Sequence, residues 1–95
     1  MADEAYRLSL APAARRALTE GPPVGLPLAV ATAVGGFITG PLLEKPYIVG
    51  KPLTRELAGY HSARRGAYRI VYRIDDKDRT VHIVRIDYRA DVYHS

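Results

Sequence analysis

Four arginines, Arg64, Arg65, Arg69 and Arg73, fall between Tyr60 and Ile74 with no acidic side chain among them. A guanidinium is planar, permanently charged and grips phosphate through paired hydrogen bonds. Tyrosines run beside the arginines: Tyr60, Tyr68, Tyr72, Tyr88 and Tyr93 are interleaved with Arg64, Arg69, Arg73, Arg85 and Arg89. A tyrosine ring offers a face on which an unpaired base stacks. Cations for the backbone and rings for the bases are what recognition of single-stranded nucleic acid requires. Not every member of the array is free for that task. Tyr68 and Tyr72 share a strand face with Ile70 and Ile74, which assigns them to the core, and Arg85 and Asp87 are spaced to pair with each other. Arg69 is different: it sits mid-strand, opposite the apolar face, between residues that fix its direction.

Other chemistries have little to build on. His61, His82 and His94 are isolated and there is no cysteine, so no metal-ligand spacing is present and no metal site is expected. The sequence contains no phosphate-binding GxxxxGK[ST] loop, no GxGxxG and no GxSxG. Nucleotide cofactors and acyl transfer are therefore not indicated, and no cofactor is expected.

The arginines need elements to hold them. From Ala67 to Ile74 side chains alternate, with Tyr68, Ile70, Tyr72 and Ile74 on one face and Arg69, Val71 and Arg73 on the other. Gly66 occupies the place of a strand-to-strand turn, so Leu57–Ile74 reads as a basic β-hairpin with an apolar face to bury and a cationic face to show. Upstream, Ala5–Leu10 alternates as a first strand with Tyr6, Leu8 and Leu10 on one side. Pro12 opens a short helix to about Glu20, which Gly21-Pro22-Pro23 terminates. A second helix is expected from Leu26 to between Phe37 and Thr39. Gly35-Gly36 weakens it by roughly 1 kcal/mol per glycine relative to alanine, so it should either pack closely on a neighbour there or end early. Leu42–Lys51 reads as a loop, and Lys51 and Arg55 fall near the hairpin's rim. Asp75–Arg79 is a polar turn, and Thr80–Tyr88, almost continuously apolar inside, reads as a central strand.

The order is β-α-α-β-β-β: an α+β fold in which two N-terminal helices cover one face of a small, mostly antiparallel β-sheet. The other face is left to the arginines. Ninety-five residues make a single domain, 1–95, able to bury roughly 60–65% of its unfolded surface.

The net charge of +4 is not evenly spread. Residues 1–50 carry four basic and four acidic side chains, and residues 51–95 carry ten and six. A one-sided cationic field draws polyanions. The start, Met1-Ala2-Asp3-Glu4, is acidic where a secretory signal would be positive. Val24–Leu43 has no charge over twenty residues, yet Pro27, Pro41 and four glycines suit a tightly packed soluble helix better than a membrane span. A cytoplasmic protein without a membrane segment is expected.

Gly59-x-x-x-x-Arg64-x-Gly66-x-Tyr68-Arg69-Ile70-Val71-Tyr72, then a strand and Arg89-x-x-Val92-Tyr93, resembles the RelE branch of the RelE/ParE toxins. Gly40-Pro41-Leu42-Leu43 and Gly50-Lys51-Pro52-Leu53, with Leu57 ahead of Gly59, look like the same family's approach to the hairpin. The resemblance runs from the first strand to Tyr93. It implies a RelE-like fold, similar to microbial ribonucleases, and a toxin of a toxin–antitoxin pair that cuts mRNA in the ribosome's 30S A site. In that reaction the 2′-hydroxyl attacks its own 3′ phosphate, which needs a base, charge stabilisation and help for the leaving oxygen.

By motif position, Arg69 would stabilise the phosphate transition state, Arg64 would assist, Tyr93 would stack on a base or move a proton, and Arg89 would contact the substrate backbone. Lys51, Arg65, Arg73, Tyr60 and His94 complete the candidate RNA contacts. Family members often carry lysines on the strand before the hairpin turn, where Tyr60-His61-Ser62-Ala63 has none. The base is left open among His61, Lys51 and His94. The implied partners are a cognate antitoxin, in a hetero-oligomer, together with the ribosome and mRNA. A gyrase inhibitor of the ParE type, acting by binding alone, is the rival reading, and a non-catalytic nucleic-acid-binding domain is a third.

Overall fold

The computed structural model describes residues 5–88. Its elements are β1 (Arg7–Leu10), α1 (Pro12–Thr19), α2 (Leu28–Thr39), a one-turn α3 (Pro41–Glu44), β2 (Lys51–Pro52), a 3₁₀ turn (Arg55–Leu57), β3 (His61–Arg65), β4 (Tyr68–Asp75) and β5 (Thr80–Tyr88). They form one five-stranded sheet in the order β1-β5-β4-β3-β2. The β1–β5 pair is parallel and the other pairs are antiparallel. The expected α+β architecture is therefore present, with β5 between β4 and β1 as its apolar run required.

Alternation on β4 sets the two faces. Ile70 and Tyr72 are fully buried, and Tyr68 and Ile74 pack against the same core. Opposite them on β5 stand Ile86, Ile83 and Val81. The register shifts between Val71 and Tyr72, from Val71↔Arg85 to Tyr72↔Ile83. Val84 is thus the extra residue of a β-bulge, and the bulge lets both Ile83 and Ile86 face the helices although they are three apart. Above this face lie Ala14 of α1, Val34, Phe37 and Ile38 of α2, and Leu42 and Leu43 of α3.

Two local expectations are corrected. Leu42–Lys51 is not all loop: Pro41 opens a helical turn that buries Leu42 and Leu43, because two adjacent leucines cannot both be left in water at low cost. Gly35 and Gly36 neither end α2 nor mark a close packing contact. The helix continues to Thr39, and a Cβ added at either glycine would meet nothing within 4 Å. Their cost is a propensity cost, offset by Val34, Phe37 and Ile38 on the buried side. No helix of the described residues is long and apolar enough to cross a membrane.

Two side-chain networks fix the segment between α3 and β2. Tyr72, fully buried, donates its hydroxyl to the Pro46 carbonyl at 2.7 Å. Asp76, in the β4–β5 turn, accepts from Tyr6 at 2.5 Å and from Tyr47. These bonds, Tyr47's first, hold the Asp76 carboxyl below its ordinary value and push the Tyr47 phenol up to about 12. Residues 46–50 are thereby pinned over the edge of the sheet. Gly50 lies close against the sheet: a Cβ there would lie 2.8 Å from the Ser62 carbonyl oxygen and would collide with the Tyr72 hydroxyl.

Candidate nucleic-acid interface

Strand parity sorts the cations. Arg64 stands opposite Arg69, and Ser62 opposite Val71, on the face away from the helices. Lys51 pairs with Ser62, so β2 brings an ammonium to the same row. Between the 48–53 segment and these strands lies an open cleft of about 540 Å³, lined by Lys51, Ser62, Arg64 and Arg69 with Ile48, Val49, Gly50, Pro52 and Leu53. Three cations and a hydroxyl converge there, which suits a phosphodiester. The Leu53 amide donates to the Tyr60 carbonyl at 2.8 Å and holds the outer wall.

Arg69 is not free of acids, as its hairpin neighbours had suggested. Asp87, opposite it on β5, lies 3.5 Å from the Arg69 guanidinium and 3.2 Å from Arg85 Nε. The Arg85–Asp87 pair expected from spacing is present, and Arg69 shares the same carboxylate. The Nε of Arg69 is buried and makes no hydrogen bond among the described residues, so this side chain is held at one end and keeps a donor unused.

Two expected site residues turn to the helix face. The Arg65 side chain turns to the helix face, with its guanidinium 4.5 Å from the Phe37 ring centroid, because consecutive strand residues point to opposite sides. His61 also faces inward: its ring stacks on Tyr72 at 5.5 Å and meets the edge of Tyr47 at 5.7 Å. Burial lowers its pKa, and its Nδ1 is enclosed without a hydrogen-bond partner among the described residues. It is on the wrong side of the sheet to serve the cleft as a base. Arg73 is exposed on the open face opposite His82, beyond the cleft. Tyr60 lines a neighbouring hollow with Val71, Val84 and Arg85. Arg89, Tyr93 and His94 lie outside the described residues.

Sequence reasoning missed Ser62 and the contact of Asp87 with Arg69. Ser62 was within reach, since Ser62 and Arg64 are two apart on one strand. Asp87 was not, because it meets Arg69 only through the β4–β5 register.

The family model described as the ParE toxin of the type II toxin–antitoxin system, parDE, matches residues 32–93, which includes the cleft and both strands of the hairpin. The chain is 50% identical over 88 residues to toxin RelG of Mycobacterium tuberculosis, covering 93% of this chain and 95% of that protein. The chain belongs to the RelE/ParE toxin family. It is also 43% identical over 91 residues to toxin RelE of the same organism, covering 96% of this chain and 89% of that protein. Among solved structures, the toxin–antitoxin complex RelBE2 of M. tuberculosis matches with a TM-score of 0.82 and 49% identity, over 92% of this chain and 94% of that one. The intact RelBE complex of E. coli shares the fold, with a TM-score of 0.68 at 20% identity, over 90% of this chain and 98% of that chain. The chain is thus a RelE-like toxin of a type II toxin–antitoxin system.

Proposed function

We propose that this RelE-family toxin is a ribosome-dependent endoribonuclease that cuts mRNA in the A site. The observation that carries the reading is the convergence of Lys51, Arg64, Arg69 and Ser62 on one cleft of the open face. A phosphodiester in that cleft meets Arg69 and Arg64 at its non-bridging oxygens, where negative charge grows in the transition state. The 2′-hydroxyl gives up its proton and its oxygen bonds to the adjacent phosphorus. The bond to the 5′-oxygen breaks, that oxygen takes a proton, and the products are a 2′,3′-cyclic phosphate and a free 5′-hydroxyl.

With His61 turned to the core, Lys51 is the candidate base that the cleft itself supplies. Tyr93 on the base or the leaving group and Arg89 on the backbone are assigned by motif position. The cognate antitoxin masks this face in a hetero-oligomer by laying an acidic or amphipathic segment over the cleft.

Arg69→Ala is expected to abolish growth inhibition while the protein stays folded and antitoxin-bound. Full toxicity in that variant would overturn the assignment. The ParE description of the matching family model keeps gyrase inhibition as the second reading; a supercoiling assay tests it directly.

A further inference from the structure

A second hollow, of about 340 Å³, lies on the same open face. Tyr60, Leu57, Val71 and Val84 give it apolar walls, and Glu56 and Arg85 add one acceptor and one donor group. Its position relative to the cleft follows from the strand register. Arg64, Arg69 and Asp87 form one cross-strand row; Ser62, Val71 and Arg85 form the next row on that face. Rows two residues apart are about 7 Å apart along the strand, so the hollow begins one row from the arginines that would hold a phosphate.

The hollow has a built floor. Val71 is buried although it faces away from the helices, and Glu56 and Leu57 of the 3₁₀ turn line the same hollow with Tyr60. Val84 reaches the hollow as the bulged residue of β5. Arg85 is oriented by the bond from its Nε to Asp87, 3.2 Å. An apolar pocket with an aromatic wall and a few polar groups, continuous with a cationic track, is how single-stranded nucleic acids are bound: cations follow the backbone while rings take the bases.

We propose that the Tyr60 hollow is a nucleobase subsite. When a phosphate of single-stranded RNA lies against Arg64 and Arg69, the base of the adjoining nucleotide enters the hollow and stacks on the Tyr60 ring, over Val71 and Val84. Every base has a π-face, so the subsite accepts all four and favours purines by their larger ring area. The inference rests on the nucleic-acid reading of the cleft and adds to it which part of the nucleotide the neighbouring surface recognises.

The test is an NMR titration of the full-length chain with adenosine 5′-monophosphate and with ribose 5-phosphate, which differ by the base. The monophosphate is expected to bind about tenfold more tightly, within the range that stacking on one aromatic side chain carries. Tyr60→Ala is expected to bring the two ligands to the same affinity, and Tyr60→Phe, which keeps the ring, to preserve the difference. Equal affinities in the unaltered protein, an undiminished difference in Tyr60→Ala, or no saturable binding of either ligand would each overturn the subsite. No bond is cut in this titration. RNA left intact in a translation assay would therefore defeat the nuclease reading without touching the subsite, and equal affinities here would defeat the subsite while the nuclease stands.

Discussion

Tyr72→Phe removes one oxygen atom and tests how the cleft wall is held. Tyr72 is fully buried, and its hydroxyl donates to the Pro46 carbonyl at 2.7 Å. Burial pushes that phenol up to about 12, as expected of a hydroxyl kept neutral in the core. Phenylalanine keeps the ring against His61, so the lesion is confined to the hydrogen bond and an unpaired carbonyl at a buried proline. An orphaned buried polar group costs about 1–3 kcal/mol. Taking about 1.5 kcal/mol, and about 4–8 °C per kcal/mol for a domain of this length, the melting temperature should fall by roughly 6–12 °C. Thermal unfolding followed by circular dichroism reads this directly. The same bond anchors residues 46–50, one wall of the cleft, so affinity for a short RNA should fall severalfold in the folded variant. A melting shift within about 2 °C of zero would refute the reasoning, because Pro46 would then have found another partner.

Asp87→Asn should raise affinity for short RNA severalfold, since phosphate no longer competes with a carboxylate for Arg69 and Arg85; weaker binding, measured by fluorescence anisotropy, would instead make Asp87 a positioning group. Its effect on stability should stay below about 1 kcal/mol, because the ion pairs are partly solvent-exposed. The His61 ring is held neutral by burial, with its pKa below the ordinary 6.5. The unfolded chain therefore binds the proton first, and stability is lost as pH falls from about 6.5 through the lowered folded value. His61→Gln should flatten that part of the melting-temperature profile; an unchanged slope would contradict the placement. Alanine at Lys51, Arg64 or Arg69 should each reduce the salt dependence of RNA binding by about one counterion, read from the slope of log K against log salt. An unchanged slope would remove that residue from the phosphate track.

The β4 faces were legible because its period-2 pattern is strong and its partners are apolar. Gly66, at φ 58°, takes the turn conformation that its place in the hairpin called for. What escaped was nonlocal or lacked a local signal. The inward turn of His61 follows from sharing a face with Ala63, a residue too small to announce a core position. Arg65 and Arg64 read alike in a charge count and differ only in parity. The bulge at Val84 is hidden in a run that is apolar throughout, and it decides which of Ile83, Val84, Arg85 and Ile86 meet the core. The 48–53 wall depends on Tyr72, Asp76 and the Leu53–Tyr60 bond, contacts between residues distant in sequence. The arginine cluster was therefore legible in the sequence, while the topology decided which of its members line one cleft.

The most direct test adds the purified protein to a reconstituted translation system and maps mRNA 5′ ends by primer extension, with the same RNA free of ribosomes as the control. New ends are expected inside codons when ribosomes are present, with none on free RNA and none with Arg69→Ala. Intact mRNA on translating ribosomes at protein concentrations that arrest growth would contradict it.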